Sequence, residues 1–420
     1  LGIHALKRLP WTAGFAVFAA VILLIYPAQG LEAAAKGVAI WWDVLFPALF
    51  PFFLLSEMLL GFGVVHFIGT LLDPLMRPLF RIPGIGGFVM AMSFASGYPI
   101  GAKLTAQLWE EGLISRDEGE RLVAFTTSSD PIFLIGAVSV GFFGDVRVAL
   151  ILAAAHYGSA LLLGLIMRFH GKPENDTPPL TAAKFKGTAL RRSFAAMHKA
   201  RLRDGRPLGQ MLRQAIGSSL QLVFVVGALV VFFATLMKSM ELSGVLTLLD
   251  RPIQWLLTAA GVPHSLSTSF VNGIFEVTLG AKEAGLASVP LLNKLTAAVF
   301  VLSWGGLSVH AQIVSLLHKT NMRYAPFLVA RLLHCVMAIV LLFILWPILA
   351  PASKVANAFH DSAFIETFLY RGAQNLPISP AALEWSRGFP LSLLMAGGIL
   401  AVLLLCGILQ WFSKKLYNDL

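Results

Sequence analysis

Apolar residues along this chain come in blocks, and the interruptions between the blocks carry as much information as the blocks. Residues 11–28, 38–65, 147–168, 214–238, 325–350 and 389–412 are nearly unbroken apolar runs. Each approaches or exceeds the roughly 20 residues a helix needs to cross a bilayer. Two further runs are long but broken by polar residues: 119–143 by "TTSSDP" (126–131) and 292–317 by "SWGGLS" (303–308). Two others, 84–112 and 263–287, are apolar yet dense in Gly, Ser and Thr. Each is too interrupted for one good span but long enough for a re-entrant helical hairpin. The pattern predicts an all-α polytopic membrane protein with about eight transmembrane helices plus two re-entrant hairpins. The first run follows His4, Lys7 and Arg8, and "YPAQGLEAAAKG" after it makes a poor signal-cleavage site, so it reads as an uncleaved helix.

Composition agrees. Of 420 residues, 57% are hydrophobic and only 13% charged, against about 25% charged in a soluble domain. The net charge of +10 would fit nucleic acid, but its distribution fits membrane topology better. The stretch 171–213 holds ten Lys or Arg and three acids, and basic residues also flank both termini. By the positive-inside rule these regions, and therefore the N- and C-termini, are cytoplasmic. The segment 351–387, with three basic and three acidic residues, falls outside. Cys335 and Cys406 sit in apolar runs and offer no disulfide framework. The expected organisation is a first helix (1–30), a first repeat (31–170), a basic loop (171–213), a second repeat (214–350), an extracytoplasmic segment (351–388) and a last helix with a basic tail (389–420).

The repeat rests on paired sequences. "LLDPLMRPLF" (71–80) resembles "LLDRPIQWLL" (248–257), and "SFASGYPIGAK" (93–103) resembles "SFVNGIFEVTLGAK" (269–282). Asp73 and Asp250 lie 177 residues apart, Gly101 and Gly280 179 apart. Each unit reads span, hairpin, broken span, span. Three crossings per unit turn the second unit upside down, an inverted repeat of the kind transporters use to build a midplane binding site.

Irregular backbone at membrane depth needs protein or water partners, so the hairpin tips and breaks are the expected binding site. The candidates are Ser96, Gly97, Tyr98, Pro99, Gly101 and Lys103 in the first hairpin, and Asn272, Gly273, Glu276, Thr278 and Lys282 in the second. Thr127, Ser128 and Ser129 join them from the first break, and Ser303 and Ser308 from the second, with His310 and Gln312 nearby. The glycines and Pro99 suit sharp turns. Glu276, between apolar neighbours, and Asp130, in the first break, are ionisable groups at membrane depth and hence candidates for proton coupling; Glu276 also fits a structural carboxylate paired with Lys282 or capping a broken helix, and Asp130, before Pro131, a helix cap. Lys103 and Lys282 either attract a carboxylate substrate or snorkel to a membrane face. Asp73 and Asp250 are expected to anchor connections. No metal site or cofactor is expected, and no P-loop, GxSxG or HExxH motif points to an enzyme. The stretch 185–203 reads as an amphipathic helix, either binding anionic lipid or serving only topology.

"LFPALFPFFLLSEMLLGFG", "SGYPIGAK" and "FEVTLGAK" together resemble the sporulation integral membrane proteins of the nucleoside-recognition, or Gate, group, over roughly residues 10–412. The resemblance implies a fold related to concentrative nucleoside transporters and a role in endospore formation: movement of dipicolinic acid across the outer forespore membrane. This chain departs from the group's usual pattern at the first break, where "SSDPIFLIG" adds Asp130. Besides that small anionic substrate, the alternatives are transport of a nucleoside-like solute and a non-transporting scaffold of the sporulation machinery. The partners expected are the solute and the lipid bilayer, with a homo-oligomer open and no nucleic acid.

Overall fold

The computed structural model describes residue 17, residues 20–178 and residues 188–350. The predicted span at 389–412, the segment 351–388 and part of the first run lie outside the described residues. Every regular element among the described residues is a helix.

Helix α1 (Pro27–Ala39) runs through a π-helical stretch (Ile40–Leu45) into α2 (Phe46–Gly61). Gly63, at φ 76°, then turns the chain left-handed, and α3 (Val64–Phe80) leaves at 81° to the end of α2. Glycine makes this turn without the Cβ penalty of any other residue. The first hairpin follows as α4 (Ile85–Ser96) and α5 (Tyr98–Glu110). Helix α6 (Arg116–Thr126) starts on a capping box: the Glu118 N–H donates to Ser115 Oγ and the Ser115 N–H donates to Glu118 Oε2. After the break, α7 (Ile132–Phe142) is wound as a π-helix, and α8 (Val148–Met167) completes the unit.

Helix α9 (Ala189–Asp204) lies in the basic loop, as the amphipathic pattern predicts. The second half then runs in a similar order: α10 (Leu208–Leu242), α11 (Val245–Ala259), a hairpin of α12 (Ser267–Phe275) and α13 (Val277–Leu286), a broken pair α14 (Leu291–Trp304) and α15 (Gly306–Leu317), and α16 (Tyr324–Leu349). Gly244, at φ 76°, begins α11 as Gly63 begins α3.

Among the described residues, four stretches are long and apolar enough to cross a membrane: Val148–Met167, Leu208–Leu242, Leu291–Leu317 and Tyr324–Leu349. The bent pair Leu49–Gly61 with Val64–Phe80 is a fifth if taken as one span. The run 119–143, expected as a broken span, divides into two short helices. Helices α3 and α11 are additions to the sequence reading, which paired 71–80 with 248–257 without making them helices. Helix α3 is amphipathic, burying Leu72, Leu75 and Met76, while α11 exposes Leu248, Trp255 and Leu256.

Small residues let the hairpin arms close. Gly101 lies where a Cβ would come within 2.6 Å of Ser93 Oγ and 2.8 Å of Thr126 Oγ1. In the second hairpin, a Cβ on Gly280 would come within 2.7 Å of the Gly273 nitrogen, and Ser269 Oγ donates to the Gly280 carbonyl at 2.7 Å. These are the close backbone approaches that small residues permit between membrane helices. Gly101, Gly273 and Gly280 therefore serve arm packing rather than the turns expected of them; the turns fall at Gly97 and Glu276.

Ion pairs gather at one end of the bundle. Arg121 Nη1 lies 2.9 Å from Asp176, Arg81 Nη2 2.8 Å from the same carboxylate, and Arg323 Nη2 2.8 Å from Glu120. Asp73 Oδ1 accepts from the Gly84 N–H at 2.8 Å, fixing the passage from α3 into the first hairpin, so Asp73 is the anchor the sequence led us to expect. Elsewhere Gly285, at the foot of the second hairpin, lies against Phe142 at the end of α7, and Lys294 Nζ donates to the Gly285 carbonyl at 3.0 Å.

Candidate functional site

The four irregular segments touch one another. Gly97, the first hairpin tip, has φ 85° and ψ −170°, a region essentially reserved for glycine. A Cβ there would come within 3.0 Å of Asp130 Oδ2, so the tip rests on the first break. Glu276, the second tip, is extended, and its backbone faces Gly306 in the second break. Gly305, at φ 83°, lies against the Tyr98 ring, which links the first tip to the second break. Breaking four helices at one place creates eight orphaned helix ends, and the side chains around them answer most of those ends.

Three of the four C-terminal ends, those of α6, α12 and α14, are met by side-chain donors. Tyr98 Oη donates to the Leu302 carbonyl at 2.8 Å, and Trp304 Nε1 to the Ile274 carbonyl at 3.0 Å. Arg331, fully buried on α16, donates through Nη1 to the Thr127 carbonyl at 2.6 Å and the Ser303 carbonyl at 3.3 Å. Its Nη2 donates to the Ala124 carbonyl. A single guanidinium thus closes the ends of α6 and α14, where a cation is favoured by the partial negative charge of a helix C-terminus.

Two of the four N-terminal ends are met by carboxylates. Asp130 Oδ1 accepts from the Phe133 N–H at 2.8 Å at the start of α7, and Glu276 Oε2 accepts from the Leu279 N–H at 2.8 Å at the start of α13. The other two, α5 and α15, have no side-chain cap, and they pack against each other. Beside them, the Ser96 hydroxyl is buried and makes no hydrogen bond, while the Ser129 hydroxyl faces Tyr98 Oη.

A histidine pair backs this centre. His156 Nε2 accepts from the Ser129 N–H at 3.2 Å and lies 2.9 Å from Ser128 Oγ, while its Nδ1 lies 3.2 Å from Ser303 Oγ. Because Nε2 accepts, the proton of the neutral ring sits on Nδ1. His334 Nδ1 accepts from Arg331 Nη1 at 3.2 Å, so its Nε2 carries the proton and donates to the His156 carbonyl at 3.0 Å. The two rings lie 5.1 Å apart. Tyr157 Oη donates to the Ser129 carbonyl at 3.0 Å.

The predicted residues sort clearly against this geometry. Ser96, Gly97, Tyr98, Thr127, Ser128, Ser129, Asp130, Glu276 and Ser303 belong to the four segments in contact. Pro99, Thr278 and Ser308 lie in the first turns of α5, α13 and α15. Asn272 is one turn before the second tip, where its carbonyl accepts from the Glu276 N–H at 2.8 Å. Thr127 Oγ1 is spent on the Val123 carbonyl of its own helix. His310 Nε2 lies 3.2 Å from the Trp304 carbonyl and Nδ1 2.7 Å from Tyr324 Oη, with Gln312 buried on the same helix.

The two lysines part company. Lys103 is buried and pairs with Glu57 of α2, which also accepts from Gln107 Nε2 at 2.8 Å. Glu57 and Gln107 line a cavity of about 500 Å³ together with Glu110, Glu111, Arg206 and Gln214. Lys282 is exposed and has no ion pair among the described residues. His156, Tyr157, Arg331, His334 and Glu57 were not anticipated from sequence. One signal was available: His156 and His334 are 178 residues apart, within the offset of the repeat itself. Away from the centre, Asp117, Glu120 and His170 place ligand atoms within 4.8 Å of one another, but Arg323 and Arg116 already pair with these carboxylates.

A helical bundle whose centre is built from two broken helices and two hairpin tips defines an integral membrane protein with interrupted helices at its core. Comparison with known proteins narrows this. Residues 43–169 match the Gate family, described as nucleoside recognition. The chain is 42% identical to sporulation integral membrane protein YlbJ of Bacillus subtilis (strain 168) over 83% of this chain and 84% of the relative. An uncharacterized protein of Alkalihalophilus pseudofirmus is 33% identical over 31% of the chain and 29% of its own length. No solved structure matches. The chain belongs to the family of sporulation integral membrane protein YlbJ.

Proposed function

We propose that this protein carries a small anionic solute across the membrane, with dipicolinic acid the substrate and the outer forespore membrane the site, and with binding at the four-way junction of tips and breaks. The single observation that carries the reading is the meeting of the two uncapped N-termini, α5 and α15, beside the unpartnered Ser96 hydroxyl. Free N–H groups and the positive end of the helix dipole favour a carboxylate there. Dipicolinate is a planar dicarboxylate that asks for donors on two sides.

The two units are inverted, and each hairpin is re-entrant, the first from the cytoplasm and the second from outside. Two reciprocal contacts support a pairing of the two units, α5 of the first hairpin on α15 of the second unit and α13 of the second hairpin on α7 of the first, and three crossings per unit support their inversion. The basic end with Arg81, Arg121 and Arg323 is cytoplasmic, as are both termini. The cavity beside Glu57 is then the cytoplasmic vestibule. Glu276, which caps α13 through one oxygen, carries the coupling proton, with Asp130 as its counterpart at the first break.

The Gate match favours a second reading, a nucleoside-like solute. Thermal unfolding of the purified protein in detergent separates the two. Dipicolinate raises the unfolding temperature in a concentration-dependent way, and nucleosides do not. Protection by nucleosides alone would replace the anion reading with the second one.

A further inference from the structure

Helix α9 stands outside the proposed transport site, and its surface has a partner of its own. Its inner face is docked: Ser193 is buried and Gly63 lies against the Met197 carbonyl and Ala200, with the half-exposed Phe194 ring at the border of that face, 4.9 Å from Phe67 of α3. Its outer face is not. Leu190, Phe194 and Leu202 are 53%, 52% and 68% exposed, and Arg191, Lys199 and Arg203 are exposed beside them. Leu190, Phe194 and Leu202 are spaced by four and eight residues, so they form one row, and each cation follows a row position by one, or by the same step from His198. The cations thus border the apolar row, the arrangement of a helix lying in a membrane interface.

Position decides the occupant. Only Gly205, Arg206 and Pro207 separate α9 from α10, a helix of 35 residues long and apolar enough to span. The turn is fixed: Arg206 Nε donates to Asp204 Oδ1 at 2.6 Å, its Nη1 to Gln214, and Arg201 Nη2 donates to the Arg206 carbonyl at 2.6 Å. Beyond it, Leu208 and Leu212 at the start of the spanning helix are again exposed. A helix held this close to the point where its neighbour enters the bilayer meets headgroups before it meets anything else.

We propose that the outer face of α9 binds anionic phospholipid headgroups at the surface of the bilayer in which the protein is embedded, with Arg191, Lys199 and Arg203 on the phosphates and Leu190, Phe194 and Leu202 at the acyl boundary. Each cation near an anionic surface contributes about a fivefold change in partition, so the three together give about a hundredfold.

The test uses the full chain with Cys335 and Cys406 replaced by alanine and a single thiol introduced by Leu202→Cys. The protein is reconstituted in vesicles of phosphatidylcholine alone or of phosphatidylcholine with 30% phosphatidylglycerol, and reaction with a water-soluble maleimide is timed. Reaction slows by up to about a hundredfold in the anionic vesicles, and 0.5 M KCl restores much of the rate. R191Q/K199Q/R203Q removes the difference, whereas R191K/K199R/R203K keeps it. Leucine at 202 can be left in place and the backbone of 189–204 followed by hydrogen exchange, which reports the same protection without a label. Equal rates in both vesicles at low salt would overturn the proposal, as would slowing that ignores the three cations; either result assigns the face to a protein partner or to solvent.

Discussion

Removing Arg331 tests the structural logic of the centre most severely. Arg331→Met keeps much of the side-chain volume and removes every donor. The Ala124, Thr127 and Ser303 carbonyls and His334 Nδ1 then lose their partner in a site where Arg331 itself is fully buried. A buried acceptor left unpaired costs about 1–3 kcal/mol. The losses share one side chain and do not add, so the total falls at about 3–5 kcal/mol, the range for breaking a buried charged contact. That is about a hundredfold to several thousandfold in the folding equilibrium. Reversible SDS titration of the protein in mixed micelles, with the wild type alongside, reads it directly. Arg331→Lys keeps the charge but lacks the planar fork that reaches both breaks at once, so it falls between the two. Arg331→Met with wild-type stability and undiminished solute flux would refute the claim that one guanidinium ties α6 to α14.

The remaining predictions are narrower. Gly97→Ala meets both a positive φ and Asp130 Oδ2 within 3.0 Å of the new Cβ; it costs about 1–3 kcal/mol and lowers flux more than Gly112→Ala, a positive-φ glycine with open space around it. Lys103→Met strands Glu57 and destabilises by about 3–5 kcal/mol; adding Glu57→Gln recovers most of that in a double-mutant cycle, and no recovery would mean the pair is not coupled. Glu276→Gln keeps an oxygen to cap α13 but cannot titrate, so it folds normally and loses the pH dependence of flux; unchanged pH dependence removes Glu276 as the proton carrier. At the end of the bundle, burial pushes the Asp117 carboxyl up, but hydrogen bonds from Asn175, Arg116 and the Lys172 N–H outweigh it and hold the group below the usual carboxylate range. A carboxyl depressed on folding stabilises above its unfolded value and loses that contribution as pH falls through the folded one. Protection of the 171–176 amides, taken relative to their intrinsic exchange rates, therefore falls below about pH 4 in the wild type, while Asp117→Asn shows low protection at every pH.

Much of this architecture is legible in the apolar blocks, because a hairpin and a continuous span differ in where Gly, Ser and Thr interrupt them. "SGYPIGAK" shows its turn through Gly97, the residue that alone accepts that backbone. The second tip is less transparent: "NGIFEVTLG" offers two glycines as turns, but both are used to bring the arms together, and Glu276 turns the chain with an extended backbone and caps the next helix. Helix α3 follows an apolar run without a gap, so only Gly63 marks the bend, and α11 is an amphipathic helix set off from its run by the polar stretch 238–244. Arg331 and His334 lie in "VARLLHCVM", within a run that otherwise reads as a plain span. Their partners are carbonyls of α6 and α14 and the backbone of His156, and a backbone acceptor leaves no trace in sequence. Lys103 could not be placed for a similar reason: its answer, Glu57, is 46 residues away on another helix.

Flux of labelled dipicolinate into proteoliposomes tests the central claim most directly. The account predicts saturable uptake by the inserted wild-type protein, strongly reduced by Gly97→Ala and competed by other pyridine dicarboxylates but not by nucleosides. Correct insertion with no flux above protein-free vesicles, in either direction of the gradient, would contradict it.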